Sequence, residues 1–281
     1  MQNLMAMKPN YLLLSRNELQ FVSTSTINNP TLLIFFLLIS LLPLQVLFAQ
    51  DSTSYEIIKL ESVKSFSIDR YENIYLVNDK QDVKKQNDDK HIYSSKKRKN
   101  ITHLEASNSL KLFLFNQEYQ EFTLLDKYLT HISTTTFNQY ELGFISYATL
   151  ALDGNIWTID NADFSLKKLA MRNNKTIVTT NLNFILEQTE NEILFMKENG
   201  NYLYVCTKNS GILVFDNLGT YKKKLPYNTI SFIGFKDNEM YFVNDFDLTF
   251  FNLITLETKK ELLPFSSSKA LIVKDKLYLI E

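Results

Sequence analysis

The sequence predicts an all-β fold, a six-bladed β-propeller preceded by an N-terminal hydrophobic helix. Three observations lead there. A strand-like phrase recurs six times at blade spacing. The composition is rich in Tyr (15) and Phe (21) but holds only 6 Gly, which suits strands. One strand-like segment, residues 55–61, belongs to no repeat of its own.

The phrase is a turn, an apolar residue, an aromatic and two more mostly apolar residues. It reads Asn73-Ile74-Tyr75-Leu76-Val77-Asn78, then Lys111-Leu112-Phe113-Leu114-Phe115-Asn116, then Asn155-Ile156-Trp157-Thr158-Ile159-Asp160. It returns as Tyr202-Leu203-Tyr204-Val205-Cys206-Thr207, Glu239-Met240-Tyr241-Phe242-Val243-Asn244 and Lys276-Leu277-Tyr278-Leu279-Ile280-Glu281. From Ile74 through Leu112, Ile156, Leu203 and Met240 to Leu277 the spacings are 38, 44, 47, 37 and 37 residues. Successive side chains on a strand point to opposite faces, so the shared aromatic position is expected to pack between blades. Cys206 is expected there as a small buried hydrophobe.

Each unit divides into four strands. In the fourth, residues 193–196 form the inner strand and Asn199-Gly200-Asn201 the hairpin turn. Residues 202–207, 211–215 and 220–225 supply the other three strands. Asp153-Gly154-Asn155 makes the same inner turn in the third unit. Asn and Asp take most of the turns that Gly would otherwise take. The last two units align at an offset of 38, with Thr220-Tyr221-Lys222-Lys223-Lys224-Leu225-Pro226 over Thr258-Lys259-Lys260-Glu261-Leu262-Leu263-Pro264. In the first unit, residues 81–95 have weak strand character.

Ring closure is the next requirement, because an open ring leaves bare sheet edges. The last unit stops at its second strand. Residues 55–61 (Tyr-Glu-Ile-Ile-Lys-Leu-Glu) are therefore expected to complete it by pairing near Glu281; the alternative is an incomplete blade.

Residues 1–50 read as an export segment and residues 51–281 as the propeller. No charged residue occurs between Phe21 and Gln50, and the run ends Leu47-Phe48-Ala49-Gln50 before the polar Asp51-Ser52-Thr53-Ser54. This predicts a signal peptide cut after Ala49, although Leu47 stands where a small residue is preferred. The region before the run is long for a signal, and residues 31–48 are about long enough to span a bilayer, so an uncleaved membrane anchor is the competing reading. Either places the domain outside the cytoplasm, in the periplasm or at the outer surface.

Composition excludes several chemistries. Thirty Lys and Arg against 31 Asp and Glu leave a net charge of −1, which is unlike a nucleic-acid binder. One cysteine forms no internal disulfide, and three scattered histidines make no metal set. No Gly-x-Ser-x-Gly, Gly-rich phosphate loop or His-Glu-x-x-His is present.

The turn-Ile-Tyr-x-Val-Asn phrase resembles the six-bladed propellers of the NHL-repeat and TolB-like type. More closely, the chain is similar to a group of exported propellers of Gram-negative bacteria. The matching stretches are Asn100-Ile101-Thr102-His103-Leu104-Glu105-Ala106-Ser107-Asn108-Ser109-Leu110-Lys111, Phe122-Thr123-Leu124-Leu125-Asp126-Lys127-Tyr128-Leu129, Asp153-Gly154-Asn155-Ile156-Trp157 and Gly211-Ile212-Leu213-Val214-Phe215-Asp216. Ser109 departs from the Pro of that group. The resemblance covers residues 55–281 and implies fold more than function. Some six-bladed relatives are calcium-dependent lactonases, so Glu105, Asn108 and Asp153 are candidates for the channel and calcium is the one cofactor to test; no other is predicted.

Two further sets are candidates for binding. Asn78, Asp79, Asp160, Asn161, Asn244 and Asp245 follow second strands and would share the face of the blade connections, as a polar rim or simply as turn caps. Asp245-Phe246-Asp247 carries part of a calcium-loop pattern without its spacing. Lys96, Lys97, Arg98 and Lys99 crown a basic stretch from Lys80, either as an anion-binding surface or as a solvated blade edge. The functional expectation is a monomeric, non-catalytic binding or scaffold propeller for an envelope protein or glycan, with membrane contact only through the N-terminal segment. The alternatives are a calcium-dependent lactonase-like hydrolase and a membrane-anchored sensor domain.

Overall fold

The computed structural model describes residues 55–95, 99–108, 110–187 and 192–280. Residues 1–50, where an export segment is expected, and Lys96, Lys97 and Arg98 lie outside the described residues. Strand β1 (Glu56–Lys59) comes first. Blade 1 is β2 (Val63–Ile68), β3 (Ile74–Asn78), β4 (Asp82–Lys85) and β5 (Asp88–Ser94). Blade 2 is β6 (His103–Glu105), β7 (Leu112–Asn116), β8 (Glu121–Leu125) and β9 (His131–Thr136). Blade 3 is β10 (Ile145–Leu150), β11 (Ile156–Asp160), β12 (Ser165–Ala170) and β13 (Lys175–Asn181). Blade 4 is β14 (Ile193–Asn199), β15 (Tyr202–Thr207), β16 (Ile212–Asp216) and β17 (Tyr221–Leu225). Blade 5 is β18 (Gly234–Lys236), β19 (Glu239–Asn252) and β20 (Thr258–Ser267). Blade 6 holds β21 (Lys269–Val273) and β22 (Lys276–Ile280), with β1 beside β22. The six sheets form the six-bladed propeller that the repeat predicts.

Blade 1 is fully formed, against the weak strand signal of residues 81–95. Two carboxamide and carboxylate caps set its turns. Asn78 Oδ1 accepts from the Lys80 and Asp82 N–H groups, and Asp88 Oδ1 from that of Lys90. Val83 is buried, while β5 is an outer strand with polar, largely solvated side chains. Local capping and one buried valine thus outweigh the polar composition.

The 14-residue β19 is a hairpin in itself. The rings of Tyr241 and Phe250 lie 6.2 Å apart, whereas nine residues of straight strand span roughly 30 Å. The Leu253 N–H meets the Asn238 carbonyl, which puts the two-residue tip at Asp245-Phe246, and Asp245 has φ 56°. Blade 5 therefore has four strands in three elements.

Residues 55–61 do complete the last blade. β1 pairs with β22 from Glu56↔Lys276 to Lys59↔Leu279, in parallel. The Glu56 N–H reaches the Asp275 carbonyl at 2.8 Å and the Leu60 N–H that of Leu279 at 2.9 Å. Among the described residues, blade 6 has three strands.

The core lies between blades. The repeated aromatics Tyr75, Phe113, Trp157, Tyr204, Tyr241 and Tyr278 are all buried, as is Cys206. Full burial of each such side chain contributes about 1.5–3 kcal/mol. Tyr241 shows how the interface constrains sequence. Its hydroxyl accepts the Ile272 N–H of blade 6 at 3.0 Å, and its ring crosses Gly234, where a Cβ would stand 2.1 Å from Cζ.

Candidate binding site

The first strand of each blade, β2, β6, β10, β14, β18 and β21, lines the centre of the ring, and these strands pack on one another. All start at one end of the channel, called here the upper end, and finish at the lower end. The turns between second and third strands share the upper end with the blade connections. The turns between first and second strands, and between third and fourth, share the lower end.

Aromatic rings fill the middle of the channel. Phe232 packs against Phe66 (4.9 Å between centroids) and Phe195 (5.0 Å), and His103 lies edge-on to Phe195 at 5.4 Å. His103 is buried between two hydroxyls. Its Nδ1 is 2.9 Å from the Tyr147 hydroxyl and its Nε2 is 3.1 Å from Thr149 Oγ1. A neutral ring accepts at Nδ1 and donates from Nε2–H, which satisfies both contacts. Burial lowers the His103 pKa to about 4, so it is neutral at physiological pH. Burial also raises the Tyr147 hydroxyl well above its ordinary value.

Glu105 lies below this layer, almost wholly buried. Lys197 of blade 4 donates to both its oxygens, at 3.2 Å and 3.1 Å. The Ser107 N–H (2.8 Å) and the Ser67 hydroxyl (3.3 Å) also donate to Oε1. Burial pushes the Glu105 carboxyl up, but the Lys197 charge and the Ser107 bonds outweigh it and the net shift is downward. Lys197 is thus held as an ion pair across the ring. Lys269 of β21 donates to the Lys64 carbonyl at 2.8 Å, and burial lowers its pKa.

Each end of the channel opens into a cavity. The lower one, of 460 Å³, includes Arg70, Ser107, Lys197, Glu198, Lys236 and Tyr241 in its lining. Burial raises the Glu198 carboxyl there, partly opposed by the Leu152 N–H that donates to it at 2.7 Å. The upper one, of 290 Å³, is lined by Thr102, Gln117, Ser146, Tyr147, Asn161 and Glu192, with Ile193 and Leu194. Hydroxyls and amides from blades 2 and 3 predominate in it. Their chemistry suits a neutral ligand that both donates and accepts hydrogen bonds.

The rim residues stand at the upper end in unequal roles. Asn78 is used as a turn cap. Asp160 is buried and accepts from the Gly143 and Ala162 N–H groups and from Lys167. Asp79 is exposed beside a separate 370 Å³ cavity at the β1–β2 connection. Asn161 alone of the six lines the channel mouth. Asn244 and Asp245 are exposed at the β19 tip. Asp247 pairs with Lys260 at 2.8 Å.

Glu105, Asn108 and Asp153 do not converge. Glu105 is inside the channel, whereas Asn108 caps the Leu110 N–H and Asp153 caps that of Asn155 and pairs with Lys168 at 2.8 Å. Among the described residues, no three His, Cys, Asp or Glu side chains gather into a metal set. Lys99 is turned onto Glu121, with its ammonium 4.7 Å from the Tyr119 ring centre. Sequence reasoning missed Lys197, the partner that neutralises Glu105. The only available signal was a lysine directly after the apolar inner strand 193–196.

No family model matches the chain, and no curated protein does. Solved structures share its fold. Streptogramin B lyase aligns with a TM-score of 0.56 at 16% identity, over 81% of this chain and 79% of that one. A catalytically inactive virginiamycin B lyase from Staphylococcus aureus, solved with quinupristin, aligns at 0.54 and 13% over 80% of each chain. The extracellular domain of BT4673 from B. thetaiotaomicron aligns at 0.51 and 12%, over 77% of this chain but only 32% of that one. At such identities the likeness is one of fold.

Proposed function

We propose that the chain is an exported binding propeller of the bacterial cell envelope, of the NHL-repeat or TolB-like kind. It recognises an envelope protein or glycan at the upper mouth of its channel. The observation that carries this reading is the state of Glu105. The carboxylate that reaches the channel interior is consumed by Lys197, Ser67 and Ser107, above which the bore is filled by Phe66, Phe195 and Phe232. A hydrolase of the lactonase kind needs several carboxylates and amides converging on one open point, and Asn108 and Asp153 are occupied in turns at the lower face. The upper cavity instead offers the hydroxyls and amides of Thr102, Gln117, Ser146 and Asn161 beside Tyr147 and a single carboxylate, Glu192, a lining suited to hydrogen-bonded recognition.

Export rests on the uncharged residues 21–50. Proteolysis of intact cells and of spheroplasts tests it: the domain is expected to be protected by the inner membrane in neither case. For binding, the full chain is used as bait on solubilised envelope, beside the variant Gln117→Ala/Ser146→Ala. The reading expects a discrete protein or glycan retained by the wild type and lost by the variant. Equal retention by both, or none by either, would contradict it.

A further inference from the structure

The lower face carries a repeated device. In five of its turns an Asp or Asn side chain accepts the N–H of the second residue on, and that residue is large, apolar and exposed. Asp69 holds Tyr71 (2.9 Å), Asn108 holds Leu110 (3.1 Å), Asp126 holds Tyr128 (2.8 Å), Asp216 holds Leu218 (3.0 Å) and Asn252 holds Ile254 (2.9 Å). The five side chains are between 54% and 74% exposed. A cap of this kind fixes the turn and points the intervening side chains outward, and polar residues would serve it equally well. Blades 1, 2, 4 and 5 supply these tips, from both inner and outer turns, whereas blades 3 and 6 supply none. The upper face also exposes Tyr119, Phe144, Phe184 and Phe246, but at no shared turn position.

A second observation concerns where the chain enters. β1 runs parallel to β22, and Glu56 bonds to Asp275 in the lower turn of blade 6. The described chain therefore begins at the lower face. Only four residues separate the uncharged run of residues 21–50 from Tyr55.

We infer that the lower face rests on a lipid bilayer, with the capped apolar tips dipping into its headgroup region. Tyr and Leu on rigid turns suit that boundary, where an aromatic or aliphatic tip is buried while backbone and caps stay wet. This rests on the competing reading of residues 21–50, an uncleaved membrane anchor rather than a signal cut after Ala49, and it extends membrane contact from that segment to the folded domain. It also leaves the upper mouth facing away from the bilayer.

The test uses the full chain reconstituted with phosphatidylcholine vesicles that carry a nitroxide lipid. Single cysteines replace Leu110, Leu218 or Ile254 on the lower face, or Phe246 on the upper tip, and each is labelled with a polarity-sensitive fluorophore. The native Cys206 is fully buried with its thiol pushed far above its ordinary pKa, so it stays unlabelled. All four sites are exposed, so the fold tolerates the labels. The expected result is blue-shifted emission and quenching by the lipid at Leu110→Cys, Leu218→Cys and Ile254→Cys, with neither at Phe246→Cys. Lower-face labels as wet as the upper one would overturn the inference. So would shielding that appears only when soluble envelope proteins are added, which would make the tips a protein interface. Export or upper-mouth capture can fail independently of this readout.

Discussion

His103 is buried in the channel yet titrates in an accessible range. An ordinary histidine titrates near 6.5, and burial takes this one to about 4. The unfolded chain therefore binds a proton between about pH 6.5 and pH 4 that the folded chain refuses. Stability is complete above that window and falls as pH drops through it, by roughly 3 kcal/mol in all. His103→Gln keeps a donor for Thr149 and an acceptor for Tyr147 but carries no charge. Urea midpoints of wild type and variant are expected to diverge from pH 6.5 downward, and parallel curves would refute the assignment. Lys197→Met leaves Glu105 charged in the interior and should cost about 3–5 kcal/mol, most of it recovered by adding Glu105→Gln. If the double variant is no better than the single, the pair is not the source of the cost. Gly234→Ala drives a methyl into Tyr241 and strips the Ile272 N–H of its partner. A loss of about 2–4 kcal/mol follows from overpacking plus an unmade bond, readable by thermal unfolding.

At the scale of elements, the second strands were the legible part of the sequence. Their aromatic position recurs because it packs between blades, so each copy reports the same contact. The first strands were poorly legible: β6 and β18 have three residues each, too few for a pattern. Glu105 and Lys197 lie 92 residues apart and meet only because the ring brings blades 2 and 4 together. The turn-capping roles of Asn78, Asn108 and Asp153 follow from residue type, whereas the pairing of Lys99 with Glu121 depends on tertiary placement. The closing strand was legible from its lack of a blade, but its parallel direction was not, because alternation reads the same both ways. That strand makes its own prediction. Ile58→Pro at the centre of β1 removes a ladder donor and should cost about 1–3 kcal/mol. Amide exchange across residues 276–280 is expected to speed up first, while blades 2 and 3 stay protected; uniform loss of protection would place the closure elsewhere.

For the molecule as a whole, the two ends of the ring differ in chemistry. The upper end offers hydroxyls and amides around a small cavity, and the lower end presents capped apolar tips beside the point where the chain enters. A propeller placed in this way would meet its partner with one face and its bilayer with the other. Photocrosslinking in the intact envelope tests that division most directly, with the same photoreactive side chain at Glu192 of the upper mouth in one chain and at Leu218 in another. The account predicts a discrete protein or glycan adduct from position 192 and lipid adducts from position 218. Lipid adducts from 192, or the same protein adduct from both, would contradict it.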